Sequence, residues 1–346
     1  MKTGSMKKTS RSADSTPLDG VDLVLADLDG IVYRGAEAIQ YAVESINRAG
    51  ETRQVGYITN NASRTPASVA EQLQALGLRV TPDDIVTSPQ AAVRLLAGLV
   101  PAGSLVLAVG GDGLRSELAR AGFAITDSAS DQPAAVIQGF AQELGWAQLA
   151  EAAYALQGAG ADLPWVATNT DWTLPTARGI APGNGTLVSA VHSAVGRLPV
   201  VAGKPEVAIF EEAMARFGGL KPLFLGDRLD TDILGANRAG IDSALVLTGV
   251  DRAKQVLAAD KFSRPTYLLD DLRQLHEPYP HIREGTGAAG ARVVTAGNAV
   301  VRMVEHVVTI DERGDRNIDL LRAGAAAIWG SGLAIYGLEV PPELYA

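Results

Sequence analysis

The chain of 346 residues contains no cysteine. Disulfide bonds, a thiolate nucleophile and a zinc site with cysteine ligands are therefore excluded, and the cytoplasm is the default compartment. Long apolar runs are also missing, because the longest weakly polar stretch, 323–338, contains several glycines and is too short to span a bilayer. Residues 1–17 are polar and basic without the apolar segment of a secretory signal, so we expect a flexible N-terminal extension.

An excess of positive charge is missing as well. The formal net charge is −9, which argues against a nucleic-acid-binding protein held mainly by contacts to the phosphate backbone. A locally positive pocket for a small anion stays compatible with this charge. The length and the hydrophobic content of 47% indicate a globular protein of two or three domains without a membrane span.

Short apolar segments alternate with helical patterns along most of the chain. Most of these segments are apolar on both faces, as expected for strands of a parallel sheet that helices cover on each side. The alternation predicts a doubly wound, Rossmann-like α/β fold. The predicted strands lie in segments 21–26, 54–59, 104–110, 134–139, 165–169, 199–203, 223–226 and 243–249.

Changes in composition near residues 100 and 196 predict a second α/β domain inserted into the first. We expect the core to comprise 18–99 and 197–275, and the inserted cap to comprise 100–196. Residues 276–346 are expected to form a linker, centred on 278–291, and a small α+β extension with one hairpin and one helix at most. Such an extension is too thin to fold alone, so it should pack on the main body.

Polar side chains follow four of the predicted strands. Because the carboxyl ends of strands in a doubly wound sheet meet at one edge, where ligands bind, we expect these side chains to converge. They are Asp27-Leu28-Asp29-Gly30 after the first strand, Thr59-Asn60-Asn61 after the second, Lys204 after 199–203 and Asp227 after 223–226.

This set of residue types matches phosphoryl transfer through a covalent intermediate. Asp27 would attack phosphorus as the nucleophile. Asp29 would protonate the leaving alkoxide and then deprotonate water, which requires a raised pKa. Mg²⁺ suits an all-oxygen site, and its ligands would be the Asp27 carboxylate, the backbone carbonyl of Asp29 and Asp227.

Donors for the phosphate oxygens are available in the same set. They would be Thr59 Oγ1, the backbone N–H of Asn60, Asn61 and the ammonium of Lys204. Asp232, five residues after Asp227, has two interpretations. It either orients Lys204 or a metal-bound water, or it is simply an acidic residue in the first turn of a helix.

These residues form motifs that resemble a known family. D-x-D-G-x-x-Y, T-N-N, G-K-P and G-D-R-x-x-T-D-I, in this order, are similar to the motifs of haloacid dehalogenase-like (HAD) phosphatases over about residues 20–275. Segment 167–191 resembles the subfamily with a large α/β cap. The resemblance implies a Mg²⁺-dependent hydrolase of a small phosphorylated metabolite. The whole chain, tail included, is most similar to actinobacterial glycerol 3-phosphate phosphatases, and a homo-oligomer is a further expectation.

The resemblance leaves several substrates open. Phosphoglycolate, pyridoxal phosphate and nucleotide monophosphates are the alternatives to glycerol 3-phosphate. Pyridoxal phosphate phosphatases carry a histidine about where this chain has Leu174, which makes an aromatic ester less expected. The candidates for contact with the organic part of the substrate are Asp171, Trp172, Thr173 and Leu174.

A phospho-acceptor signalling module is the alternative from another class. Receiver domains also combine Asp, Thr, Lys and Mg²⁺ on a doubly wound sheet, but they place the acceptor on the third strand and have no equivalent of Asp29. The Asp29 acid/base and the long insertion therefore favour an enzyme that turns over.

Overall fold

The structure, a computed structural model, describes residues 15–176 and 178–345. Its strands are β1 (Leu23–Ala26), β2 (Tyr33–Arg34), β3 (Glu37–Ala38), β4 (Gln54–Thr59), β5 (Ile85–Thr87), β6 (Leu105–Val109), β7 (Ala124–Thr126), β8 (Ala135–Gln138), β9 (Trp165–Ala167), β10 (Thr173–Thr176), β11 (Gly179–Pro182), β12 (Val200–Val201), β13 (Pro222–Gly226), β14 (Asp242–Val246), β15 (Tyr267–Leu269), β16 (Arg283–Thr286), β17 (Arg292–Ala296), β18 (Ala299–Val304) and β19 (Val307–Glu312).

Helices connect most of these strands. They are α1 (Ala42–Ala49), α2 (Pro66–Ala75), α3 (Ser88–Ala97), α4 (Asp112–Arg120), α5 (Trp146–Ala155), α6 (Asn184–Val195), α7 (Val207–Phe217), α8 (Leu234–Arg238), α9 (Ala253–Ala258) and α10 (Asn317–Ser331). A π-helical turn, Leu229–Ile233, leads directly into α8.

The core is a six-stranded sheet in the order β15-β14-β13-β1-β4-β5, and all its neighbouring strands are parallel. Alternate side chains of β1 enter different hydrophobic clusters: Val24 packs on the side of α1 and α2, and Leu25 on the side of α3 and α7. Helices thus cover both faces, which explains why the strands are apolar throughout. The predicted doubly wound fold is confirmed.

A second parallel sheet lies between β5 and β13 along the chain, in the order β12-β9-β8-β6-β7. One face, with Ile137 and Val166, shares a hydrophobic cluster with α3 and α7 of the core. The other face packs on α5 and α6. This is the predicted inserted α/β cap. Its boundaries stay a prediction, although β12 pairs with β9 and so lies in the cap sheet, beyond the expected boundary at residue 196.

The expectation of one hairpin at most in the C-terminal extension is wrong. The extension is a four-stranded antiparallel meander, β16-β17-β18-β19, covered by α10. β16 lies within the segment that looked like a linker. All four of its residues are exposed, so it has no apolar alternation that would mark it in the sequence, and it forms because β17 offers it an edge to pair with.

The extension packs on the core as predicted. Its apolar side chains, among them Val294 and Leu321, form one cluster with Leu245 and Leu268 of the core sheet. The apolar helix α10 is therefore part of a packed interface. No helix within residues 15–176 and 178–345 is long and apolar enough to cross a membrane.

The start of the chain is described only in part. Residues 1–14 of the predicted flexible extension lie outside the described residues. Ser15 and Pro17 are buried, and the carbonyl of Ser15 accepts a hydrogen bond from the backbone N–H of Tyr279 at 2.9 Å. The described end of this segment is therefore packed against the molecule.

Candidate active site

A cavity of about 420 Å³ opens between the carboxyl ends of the core strands and the cap. Most of the residues that sequence reasoning selected line this cavity. They are Asp27, Asp29, Thr59, Asn60, Asn61, Asp171, Thr173, Leu174, Lys204, Asp227 and Asp232. Trp172 does not line it, and its side chain is 65% exposed. Residues separated by more than 200 positions in the chain thus meet in one place, as the strand-end argument predicts.

Lys204 joins two carboxylates at the floor of the cavity. Its Nζ lies 2.6 Å from Asp27 Oδ1 and 2.7 Å from Asp232 Oδ1, and its side chain is 3% exposed. Burial alone would lower the pKa of Lys204, but the carboxylates of Asp232 and Asp27 raise it above its ordinary value. The ammonium is therefore charged and held in place on both sides.

Asp27 follows β1 directly and continues the sheet, because its N–H donates to the carbonyl of Leu225 at 2.9 Å. Burial raises its pKa to about 7, while Lys204 opposes that rise. A carboxylate in this position is desolvated and faces the cavity, which suits a nucleophile.

Asp232 uses both oxygens within the protein. Oδ2 accepts the backbone N–H groups of Asp227 at 3.0 Å and of Arg228 at 3.2 Å, and Oδ1 faces Lys204. The π-helical turn at Leu229–Ile233 brings this side chain back under the end of β13. The geometry favours the orienting interpretation over that of a simple helix-terminal charge.

Asp227 is enclosed by backbone. Its Oδ2 accepts the N–H of Val250 at 2.6 Å. Gly30 and Gly249 both lie so close to it that a Cβ at either position would overlap this carboxylate, and Gly30 also has a φ of +81°. Burial raises the pKa of Asp227 to about 8, and the nearby Asp232 and Asp27 add to the rise.

A divalent cation fits this arrangement. Ligand oxygens of Asp27, Asp227 and Asp232 all lie within 4.8 Å of one another, and all three residues are buried. Three carboxylates around one ammonium leave negative charge uncompensated, and this repulsion adds to the effect of burial in raising the pKa values of Asp27 and Asp227. An all-oxygen donor set of this kind is typical of Mg²⁺. This cluster differs from the ligand set that the sequence predicts, which has the backbone carbonyl of Asp29 in place of Asp232. Both oxygens of Asp232 already contact Lys204 or backbone N–H groups.

Asp29 lines the cavity, and the residue is exposed there rather than buried. Desolvation by the protein nearby still raises the pKa of Asp29, and a hydrogen bond from the Tyr33 hydroxyl, at 3.3 Å to Oδ2, opposes the rise. Sequence reasoning gave no role to Tyr33, although its spacing of four residues from Asp29 stands in the D-x-D-G-x-x-Y motif. The raised pKa agrees with what general acid catalysis requires.

Thr59, the last residue of β4, forms a tight turn with Asn60 and Asn61. Thr59 Oγ1 accepts the N–H of Asn61 at 3.1 Å, and Asn61 Oδ1 accepts the N–H of Ser63 at 3.0 Å and its hydroxyl at 2.9 Å. The side-chain oxygen of Asn61 thus stabilises the turn. Thr59, Asn60 and Asn61 all line the cavity.

The cap contributes Asp171, Thr173 and Leu174. Asp171 Oδ1 accepts a hydrogen bond from Asn60 Nδ2 at 3.2 Å, and burial raises the pKa of Asp171. The sequence analysis did not select Asn169, Asn184 and Arg228, which also line the cavity. Arg228 stands in the G-D-R-x-x-T-D-I motif, and Asn169 and Asn184 lie in segment 167–191, so a sequence signal was available for all three.

Comparison with known proteins assigns the chain to a class. Residues 24–124 match the family model for haloacid dehalogenase-like hydrolases, and residues 201–275 match a second HAD-hydrolase-like model. The chain belongs to the haloacid dehalogenase-like hydrolases. The predicted family is thereby confirmed.

Particular relatives are similar over most of their length. A D-glycerol 3-phosphate phosphatase of Mycobacterium tuberculosis is 43% identical over 89% of this chain and 86% of the relative. The crystal structure of a glycerol phosphate phosphatase from that organism in complex with magnesium has a TM-score of 0.80 and 40% identity, covering 92% of this chain and 93% of the other. A 5′-nucleotidase of Bacillus subtilis is 33% identical over 72% of this chain and 95% of the relative.

Proposed function

We propose that this protein is a Mg²⁺-dependent phosphatase that hydrolyses a small phosphate monoester, glycerol 3-phosphate first among them, through an aspartyl-phosphate intermediate. The observation that carries the proposal is the cavity floor, where the desolvated carboxylate of Asp27 lies 2.6 Å from a buried ammonium and close to two further carboxylates. The glycerol 3-phosphate phosphatase from Mycobacterium tuberculosis supports the substrate, because it is similar over nearly the whole chain.

Two residues would carry the covalent steps. An oxygen of Asp27 attacks phosphorus, and the bond from phosphorus to the substrate oxygen breaks while Asp29 gives its proton to the leaving alkoxide. Asp29, now ionised, takes a proton from water as that water attacks the aspartyl phosphate. This step releases inorganic phosphate and returns Asp27 as a carboxylate. Tyr33 holds Asp29 in position for both proton transfers.

Four groups would hold the transferring phosphoryl oxygens. They are Thr59 Oγ1, the backbone N–H of Asn60, Asn61 and the ammonium of Lys204. Donors that are already in place lower the barrier by roughly 3 kcal/mol each when they meet charge that develops in the transition state. Lys204 suits this role because two carboxylates fix its ammonium before any substrate binds.

The metal would be held by Asp27, Asp227 and the backbone carbonyl of Asp29, while Asp232 orients Lys204 and the turn. Bound there, Mg²⁺ would screen the negative charge of Asp27 from that of the phosphate. The hydrogen bond from Val250 and the enclosure by two glycines keep Asp227 ready for this role without a side-chain rearrangement.

The cap would select the organic part of the substrate through Asp171, Thr173 and Leu174, with Trp172 at the rim. Phosphoglycolate, pyridoxal phosphate and nucleotide monophosphates are the competing substrates. An apolar Leu174 where an aromatic phosphate would need a polar partner argues against pyridoxal phosphate. We further propose that the protein is located in the cytoplasm, where such metabolites occur. We also propose that it forms a homo-oligomer, and light scattering would test this by measuring its mass in solution.

A panel assay tests the proposed function. The purified protein is given glycerol 3-phosphate, phosphoglycolate, pyridoxal phosphate and a nucleoside 5′-monophosphate with and without Mg²⁺, and kcat/KM is compared, with D27N as the inactive control. We expect the highest value for glycerol 3-phosphate and no turnover in EDTA. Absence of Mg²⁺-dependent phosphate release from every monoester would refute the proposal, and a stable aspartyl phosphate would point instead to a signalling module.

A further inference from the structure

The carboxamide of Asn60 links three separate parts of the chain. Its Oδ1 accepts the backbone N–H of Lys204 at 2.8 Å, and its Nδ2 donates to the backbone carbonyl of Lys204 at 3.0 Å. The same Nδ2 donates to Asp171 Oδ1 at 3.2 Å. Asn60 follows a core strand, Asp171 follows a cap strand, and Lys204 lies where the chain returns from the cap.

The pair of bonds to Lys204 defines the orientation of the amide. A backbone N–H can only donate and a carbonyl can only accept, so Oδ1 and Nδ2 of Asn60 cannot exchange places. Asn60 is 9% exposed and Lys204 is 3% exposed, so water does not replace these bonds easily. The side chain of Asn60 therefore holds both polar groups of the Lys204 backbone, its N–H and its carbonyl.

The backbone next to Lys204 packs closely against the carboxamide of Asn60. At Gly203, an added Cβ would lie 2.6 Å from Asn60 Oδ1 and 2.5 Å from the carbonyl of Thr168. The backbone of Asn60 is held from the cap as well, because Asn169 Nδ2 donates to its carbonyl at 2.7 Å. The core, the cap and the segment around Lys204 that leads back from the cap thus pack closely around Asn60.

We propose that the side chain of Asn60 is a positioning residue that places the Lys204 ammonium beside Asp27 and ties it to Asp171 of the cap loop. This inference rests on the proposed function, in which Lys204 holds the phosphate and Asp171 faces the organic part of the substrate. Binding of substrate in the cap and stabilisation of phosphate in the core are then coupled through one amide, in addition to any contact that the backbone of Asn60 makes.

The variant N60A removes all three side-chain bonds and tests the inference. We expect kcat/KM for glycerol 3-phosphate to fall about 100-fold, the loss typical of an ångström-scale misplacement of a catalytic group. The inhibition constant of inorganic phosphate should rise about tenfold or more. N47A is the matched control, because Asn47 also bonds two backbone groups, the carbonyl of Gly77 at 2.9 Å and the N–H of Arg79 at 3.0 Å, outside the cavity.

A second pair of variants separates positioning from folding. In N60D, the introduced carboxylate can still accept the N–H of Lys204 but has no proton for the carbonyl of Lys204 or for Asp171, and the carboxylates at positions 60 and 171 repel each other. In N60D/D171N, the new amide at position 171 donates to the carboxylate at position 60 and restores the link in reverse. We expect N60D/D171N to recover several-fold of the activity lost in N60D, although D171N alone does not raise activity. Loss of stability alone would give no such recovery.

The outcomes distinguish the two proposals. If the wild-type protein hydrolyses glycerol 3-phosphate and N60A matches N47A in both kcat/KM and phosphate inhibition, the role of Asn60 is refuted and the proposed function stands. An additive N60D/D171N double variant, with no recovery, would also refute the link to Asp171. If the wild-type protein hydrolyses no phosphate monoester, the proposed function itself is refuted.

Discussion

Gly249 is a position where a small change should disturb the proposed metal site. An alanine there puts a methyl group inside the space of Asp227 Oδ2, Cβ and Cγ, so the carboxylate must move by roughly 1 Å or more to regain van der Waals contact. Oδ2 also accepts the N–H of Val250 at 2.6 Å, and this bond breaks when the carboxylate moves away. G249A therefore displaces a proposed ligand without removing it.

The size of the effect follows from the broken bond. A hydrogen bond to a charged group contributes roughly 1.5–3 kcal/mol, which is the energy that holds Asp227 in the ligand position. Losing it weakens binding of Mg²⁺ by about 10-fold to 100-fold, since each 1.4 kcal/mol is about tenfold in affinity. Overpacking should also lower the free energy of unfolding by about 1–3 kcal/mol.

Activity measured against Mg²⁺ concentration checks this prediction. In G249A the concentration for half-maximal activation should rise at least about tenfold, and kcat at saturating Mg²⁺ should recover in part. G285A is the matched control, because Gly285 has no atom within 4 Å of an added Cβ. An unchanged half-activation concentration in G249A would refute the reasoning, as would a loss of kcat that no amount of Mg²⁺ relieves.

Three further predictions concern other parts of the molecule. Y33F removes the hydroxyl that donates to Asp29 at 3.3 Å. We expect kcat to fall about tenfold with little change in KM, because a group that orients an acid/base acts mainly in the transition state. An equally large change in KM would contradict this. Asp22 accepts two backbone N–H groups, which lower its pKa below the ordinary value. The stabilisation from ionised Asp22 is therefore present at neutral pH and is lost as the pH falls through the pKa of the folded state. Urea unfolding should show D22N less stable than wild type at pH 7, with a difference that shrinks below about pH 4. R322M leaves Asp319 buried without its partner at 2.6 Å, and urea unfolding should show a loss of about 3–5 kcal/mol. A neutral effect would contradict this, because it would mean that Asp319 tolerates burial without Arg322.

Several features of the site could be predicted from the strand ends alone. Asp27, Thr59 and Asp227 each stand where an apolar run of β-forming residues stops, and parallel strands bring such positions to one edge. The fold class and the inserted cap follow from the same alternation of strands and helices. These conclusions need only the order of segments along the chain.

The contacts between segments could not be predicted in this way. Asn60 was selected for its backbone N–H, but its side chain bonds Lys204 and Asp171, and only the packing of cap on core shows this. Gly249 stands in no motif, and its role appears only when Asp227 is placed against it. β16 has no apolar pattern of its own and exists because β17 has a free edge.

By itself the sequence determined the class of fold, the proposed nucleophile and acid/base, and the oxygen-rich character of the site, because local strand and turn chemistry decides where charged side chains leave the core. Only the tertiary structure decided how those charges are balanced. The distances among Asp27, Lys204, Asp227 and Asp232, and hence their burial and pKa values, depend on strands and loops brought together from distant parts of the chain.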